Sequence, residues 1–107
     1  MKTYKLRVGG EWTDASSGET FDSVNPANPE HVLGRFQKAS REDVRKAIDA
    51  AEDAFKNWSE VPAPKRGLIL LKAAQIMRKE KERLARLMTM EMGKVLPEAR
   101  GDVQEAI

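Results

Sequence analysis

The spacing of apolar residues changes once along this chain, at Ser40, and the change limits what each part can build. Before it, Tyr4, Leu6 and Val8 alternate with Lys5 and Arg7, the period of a half-buried strand. Gly9-Gly10 supplies a two-residue turn that accepts positive φ, and Glu11-Trp12-Thr13 returns beside the first strand. Ser16-Ser17-Gly18-Glu19 is a second turn, leading into Thr20 to Val24. "NPANPE", Asn25 to Glu30, should break that strand, because each proline removes a ladder donor and restrains the residue before it. Val32 to Gln37 then reads as another short strand. Residues 1–38 are therefore expected to form a small β-meander.

From residue 40 onward the period is helical. Ser40 followed by Asp43 resembles a capping box. Val44, Ile48, Ala51, Phe55 and Trp58 fall on one face of the next helix, expected to point inward, with Glu42–Lys46 and Glu52–Lys56 on the outer face. Pro64 suits the first turn of a second helix, and "GLILLKAAQIM" (Gly67 to Met77) is apolar on nearly every side, so this helix should be buried between layers. The charged run 78–83 marks an exposed break. Leu84, Leu87 and Met88 resume an apolar stripe that Gly93 ends, and Pro97 opens a last helix. That helix shows no closing Gly, Asn or Pro before Ile107, so it is expected to continue further.

The resulting fold class is α+β, a short meander followed by about four helices over residues 40–107. The helices offer more apolar face than the meander can cover. A parallel sheet with helices around it would cover the surplus, which makes the chain read as part of a larger α/β protein. A self-contained bundle is the alternative.

Composition narrows the function. Basic residues number 19 and acidic ones 17, for a net charge of +2, and the two signs are interleaved, as in Lys79-Glu80-Lys81-Glu82-Arg83. Such a mixed surface does not make a phosphate-binding stripe, so nucleic acid is not an expected partner. No apolar run reaches the roughly 20 residues that cross a bilayer, so no membrane role is expected. With 0 cysteines there is no thiolate for catalysis, zinc or a disulfide, and a cytoplasmic location suits that usage.

Motifs for chemistry fail one by one. Gly93-Lys94 lacks a phosphate loop's earlier glycine, Met88 standing in its place, and Val95 replaces the Ser or Thr that should follow. Gly9-Gly10 lies in a hairpin and not between a strand and a helix, so it is no dinucleotide fingerprint. His31, the single histidine, reads as a solvated turn residue. Glu91 and Glu98 read as solvated or capping carboxylates, and Trp12, Phe55 and Trp58 as core or interface anchors.

Several stretches, in order, resemble the N-terminal portion of the aldehyde dehydrogenase superfamily. They are "VGGEW" (Val8 to Trp12), "VNPANPE" (Val24 to Glu30), "SREDVRKAIDAAEDAFKNW" (Ser40 to Trp58), "KRGLILLKAAQIM" (Lys65 to Met77), "LARLMTMEMGK" (Leu84 to Lys94) and "EARGDVQEAI" (Glu98 to Ile107). The resemblance implies that residues 1–107 are the N-terminal part of a cofactor-binding domain, the catalytic domain being absent. It also implies an enzyme that oxidises an aldehyde to an acid with NAD or NADP. In such enzymes a cysteine thiolate captures the aldehyde as a thiohemiacetal, hydride passes to the nicotinamide, and a glutamate activates water. The groups that do this lie after the matched region. No catalytic or cofactor-binding residue is therefore expected here, and the chain alone should be inactive. One carry-over remains. Many family members hold a monovalent cation with a backbone carbonyl before "NP" and an acid before "GK", which here are Val24 and Glu91. The family usually has Asp at the second position, and Glu91 is one methylene longer. The expected partners are an aldehyde for the whole enzyme and further copies of the chain, held through uncovered helix faces. A stand-alone helical interaction module without catalysis is the competing reading.

Overall fold

The computed structural model describes residues 1–107, which form five strands and four helices in the order expected. The chain divides into two compact units, Met1–Ser23 with Val32–Val61, and Val24–His31 with Pro62–Ile107.

The N-terminal alternation is one stretch in sequence but two strands in space. β1 (Thr3–Tyr4) pairs in parallel with β5 (Asn28–Gln37), with Thr3 opposite Arg35 and Tyr4 opposite Phe36. β2 (Leu6–Val8) pairs antiparallel with β3 (Glu11–Thr13) across the Gly9-Gly10 turn, whose φ angles of 58° and 82° suit the twist of a hairpin. β4 (Thr20–Asn25) completes a sheet of order β1-β5-β4, so a single meander is replaced by a ribbon and a mixed sheet. "NPANPE" breaks the strand only at Pro26–Ala27. β5 resumes at Asn28 and carries Pro29, a longer strand than Val32 to Gln37. Gly34 is required by close approach, since a Cβ there would sit 2.7 Å from the Tyr4 ring. Tyr4 stacks on Phe36 with centroids 4.9 Å apart, and Phe21 lies 6.0 Å from Phe36 on the other side.

α1 (Arg41–Trp58) starts as expected from a full capping box, Ser40 Oγ accepting from Asp43 N–H and Asp43 accepting from Ser40 N–H at 2.9 Å. The same carboxylate also accepts from the backbone N–H and the hydroxyl of Ser16, both at 3.1 Å. Beside it, Ala15 N–H donates to Gln37 Oε1 at 2.8 Å. These donors hold Asp43 well below the usual carboxylate value of 3.8, at about 2, the Ser40 N–H acting most strongly and the Ser16 N–H next.

The face of α1 that the spacing selects does not point inward. Val44, Ile48, Phe55 and Trp58 are 49%, 61%, 65% and 42% exposed. The helix instead turns Asp43, Ala47 and Ala50 toward cover, and a Cβ on Gly9 would lie 3.7 Å from that of Ala50. Small residues at i, i+4 and i+7 fit tightly against the ribbon, whereas Phe55 and Trp58 have no layer within this unit to enter. On the outer face Lys46 pairs with Glu42 as expected, while Lys56 pairs with Asp53 and not with Glu52.

In the second unit, α2 (Ala63–Lys79) begins with Pro64 in its first turn but contains no buried residue, contrary to the expected burial between layers. Leu68, Ile69, Leu70 and Leu71 are all more than half exposed. Helix α3 (Lys81–Met92) follows after a break at Glu80, and Gly93 ends it in the left-handed conformation at φ 79°. α4 (Leu96–Ala106) has Pro97 in its first turn. The core here is Ala85, Ala99 and Val103, flanked by Leu84, Met88, Leu96 and Ile107.

Two outcomes follow from this distribution. Val103→Ala should destabilise the α3–α4 pair by about 2 kcal/mol, from lost methyl burial plus a cavity. Phe55→Ala should shift stability by less than about 1 kcal/mol, because its ring is largely solvated. Urea denaturation midpoints of both variants check this, and a larger loss at Phe55 would show that the ring is covered in solution. For Asp43 the folded value lies below the unfolded one. Its contribution is therefore complete above about pH 4 and is lost as the pH falls toward 2. Thermal melts between pH 6 and about 2 should drop steeply for the native sequence, and Asp43→Asn should start lower at neutral pH and fall less.

Candidate functional site

Val24 and Glu91, the two residues expected near a cation, belong to the same compact unit. Val24 lies next to the end of β4, where Asn25 Oδ1 accepts from Ala27 N–H at 2.9 Å and folds the chain into its proline turn. Glu91 lies in the last turn of α3, exposed, on the rim of an open groove of about 360 Å³ shared with Met77, Leu84, Leu87, Met88 and Val103. Two residues beyond each, the segments meet. A Cβ added to Gly93 would stand 3.3 Å from Cγ of Pro26. Glycine suits position 93 for its positive φ, and a Cβ there would also crowd the proline ring.

A carbonyl oxygen and a carboxylate are both hard oxygen ligands. No cluster of three or more His, Cys, Asp or Glu side chains stands together in the chain. His31 is exposed on β5, and Glu98 is exposed in the first turn of α4, where a negative charge complements the helix dipole.

An ion pair that the sequence did not announce holds α4 on α3. Arg100 donates to both oxygens of Glu82, Nε at 2.9 Å and Nη2 at 2.8 Å, and Arg86 adds a contact at 3.1 Å. The Arg100 fork, more than its charge or that of Arg86, holds the Glu82 carboxyl at about 2. Lys94 pairs with Asp102, and that hydrogen bond raises the lysine and keeps it cationic. Lys81 donates to Gln104 Oε1 at 2.9 Å. These partners stand 18, 8 and 23 residues apart on different segments, a separation with no periodic signature. Together they fix where the Gly93 turn stands relative to α4.

Comparison with known proteins gives this arrangement its context. The family model described as "Aldehyde dehydrogenase family" matches residues 12–107. The chain is 44% identical over 107 residues to malonate-semialdehyde dehydrogenase 2 of Oceanobacillus iheyensis, covering 100% of this chain and 22% of that protein. It is 42% identical over 103 residues to alpha-ketoglutarate semialdehyde dehydrogenase of Haloferax volcanii, covering 96% of this chain and 21% of that protein. It is 46% identical over 103 residues to D-glyceraldehyde dehydrogenase (NADP(+)) of Picrophilus torridus, with the same two coverages of 96% and 21%. Among solved structures, 3,6-anhydro-L-galactose dehydrogenase superimposes with a TM-score of 0.89 at 43% identity, over 96% of this chain and 21% of that one. The NAD-dependent aldehyde dehydrogenase of Sinorhizobium meliloti gives 0.88 at 36% identity, again over 96% and 21%. The chain thus spans about one fifth of the length of the relatives it matches. By sequence over nearly its whole length and by backbone, this chain belongs to the aldehyde dehydrogenase family.

Proposed function

We propose that this chain is the N-terminal, cofactor-domain segment of an enzyme that oxidises an aldehyde to a carboxylic acid with NAD or NADP. The observation that carries the reading is its match to semialdehyde and glyceraldehyde dehydrogenases, of which it spans about one fifth. The relatives' names include both an NADP-dependent and an NAD-dependent enzyme, so either dinucleotide fits the family.

In this reading the chemistry is done by residues of the enzyme outside this chain. The 107 residues include 0 cysteines, so the thiolate that captures the aldehyde must come from elsewhere. The double-glycine turn closes the β2–β3 hairpin and does not join a strand to a helix N-terminus, so it offers no cradle for a pyrophosphate. No step is therefore assigned to the dinucleotide on these residues. The segment's own part is positional. We assign the Val24 carbonyl and the Glu91 carboxylate to a monovalent cation beside the cofactor domain. The Pro26–Gly93 contact that draws their two segments together supports this.

The remaining parts of the reading concern setting. No helix is long and apolar enough to cross a membrane. We place the enzyme in the cytoplasm, which the absence of cysteine from this segment suits. Alone, the chain should self-associate through Phe55 and Trp58 on α1 and Leu68 to Leu71 on α2, since soluble monomers rarely leave such stretches open. The uncovered faces also favour the second reading, an interaction module without catalysis.

The test replaces the aligned segment of the Oceanobacillus enzyme with this chain and follows NADH or NADPH formation from malonate semialdehyde. The chimera should turn over, and this chain alone should not. A folded but inactive chimera would overturn the enzymatic reading and favour the module. In the active chimera, exchanging potassium or sodium for choline should lower the melting temperature, and Glu91→Gln should abolish that difference. A cation response that survives Glu91→Gln removes Glu91 from the site.

A further inference from the structure

With 0 cysteines in the chain, thioethers are the only sulfur that a peroxide can oxidise, and the 5 methionines stand in three different settings. Met1 and Met92 are 77% and 55% exposed. Met77 and Met90 are half-buried, each on the wall of a different groove. Met88 differs from all four. It is half-buried and packs against Ala85, Ala99 and Val103, the cluster that joins α3 to α4. It also lines the open groove of about 360 Å³ that Leu84 and Leu87 share. One side of this residue therefore touches the core of its unit while the other meets the groove. That core has little to spare. Its three buried members are two alanines and a valine, so Leu84, Met88, Leu96 and Ile107 supply much of the apolar contact between the helices.

We propose that Met88 is a peroxide-sensitive switch, whose oxidation to the sulfoxide loosens α4 from α3. In the reaction the sulfur gives an electron pair to one peroxide oxygen. The S–O bond forms as the O–O bond breaks, and the other oxygen leaves as water. Sulfur is oxidised by two electrons and the peroxide is reduced by two. The product carries a polar oxygen on what was an apolar side chain. The methyl groups of Ala85, Ala99 and Val103 offer that oxygen no donor, and a polar group without a partner in an apolar contact is costly. Gly93 and its turn lie between the two helices, so loosening them also releases the turn from its contact with Pro26. The switch holds whether or not the parent polypeptide is an enzyme.

The experiment treats the folded chain with hydrogen peroxide and measures urea unfolding at one fixed protein concentration. Tandem mass spectrometry of the tryptic peptide Leu87–Lys94 resolves oxygen uptake at Met88, Met90 and Met92. Met1 and Met92 should oxidise first without moving the midpoint. The midpoint should fall as Met88 gains its oxygen, with the ratio of folded to unfolded chain reduced roughly tenfold or more. Amide exchange should quicken around Ala85 and Val103 and stay unchanged around Asp43. Methionine sulfoxide reductases of both epimer specificities should restore the midpoint. Met88→Leu keeps the apolar volume and should hold its midpoint through the same treatment, whereas Met77→Leu should give no protection. An equal fall in Met88→Leu overturns the proposal, as does a midpoint that falls with Met92 while Met88 is still reduced. So does full oxidation of Met88 with stability unchanged, or a Met88 that stays reduced while the chain is folded. Reversal by the reductases needs no substitution, so it decides the matter even if Met88→Leu does not fold.

Discussion

The second unit depends on how closely α4 can approach α3, and that distance is set by two alanines and a valine. Ala85 and Ala99 are fully excluded from water and Val103 nearly so, while no large side chain anywhere in the chain is fully buried. Small residues contribute little transfer free energy each. Their use is geometric, letting two helices come near enough for Glu82 to reach Arg100. Charged pairs at a surface are worth little singly. Here they serve register, holding α4 at one rotation and so fixing the turn at Gly93 that meets Pro26.

The first unit solves the same problem with polar groups. Its buried side chains include Gln37 and Asp43, and each accepts hydrogen bonds from the 15–16 loop. A carboxylate that caps its own helix and also ties down a loop does two jobs with one charge. Its environment consists of donors, which is why it remains ionised despite its burial. With so little apolar burial, this acceptor ties the 15–16 loop to the start of α1.

Local signals in the sequence were legible, and cover was not. Ser40, Pro64, Gly93 and Pro97 mark helix ends through rules that act within four residues, and the helices begin and end where those rules put them. The three-in-one contact at Asp43 was half visible, since the capping box is local and the bonds from Ser16 are 27 residues distant. Apolar spacing overstates burial where no layer lies opposite the face. The spacing of Val44, Ile48, Phe55 and Trp58 shows correctly that these residues share a face. It carries no information on whether anything lies opposite, and in this chain they stay solvated. Proline's effect on the ladder predicts an interruption across all of "NPANPE", whereas Pro29 is accommodated within β5. For the candidate site, Val24 and Glu91 came from resemblance alone; the residues that bring their segments together, Pro26 and Gly93, emerge only in three dimensions.

The bareness of α2 has a kinetic side. A helix with no buried residue can open without breaking the core that α3 and α4 share, so its unfolding is decoupled from that of the unit. Its amide protons should exchange with deuterium far faster than those around Ala85 and Val103. Its Lys65, Arg66, Lys72, Arg78 and Lys79 place tryptic sites along that opening helix. Left uncovered, α2 is where degradation of this chain begins; once covered, it is the element whose protection rises most.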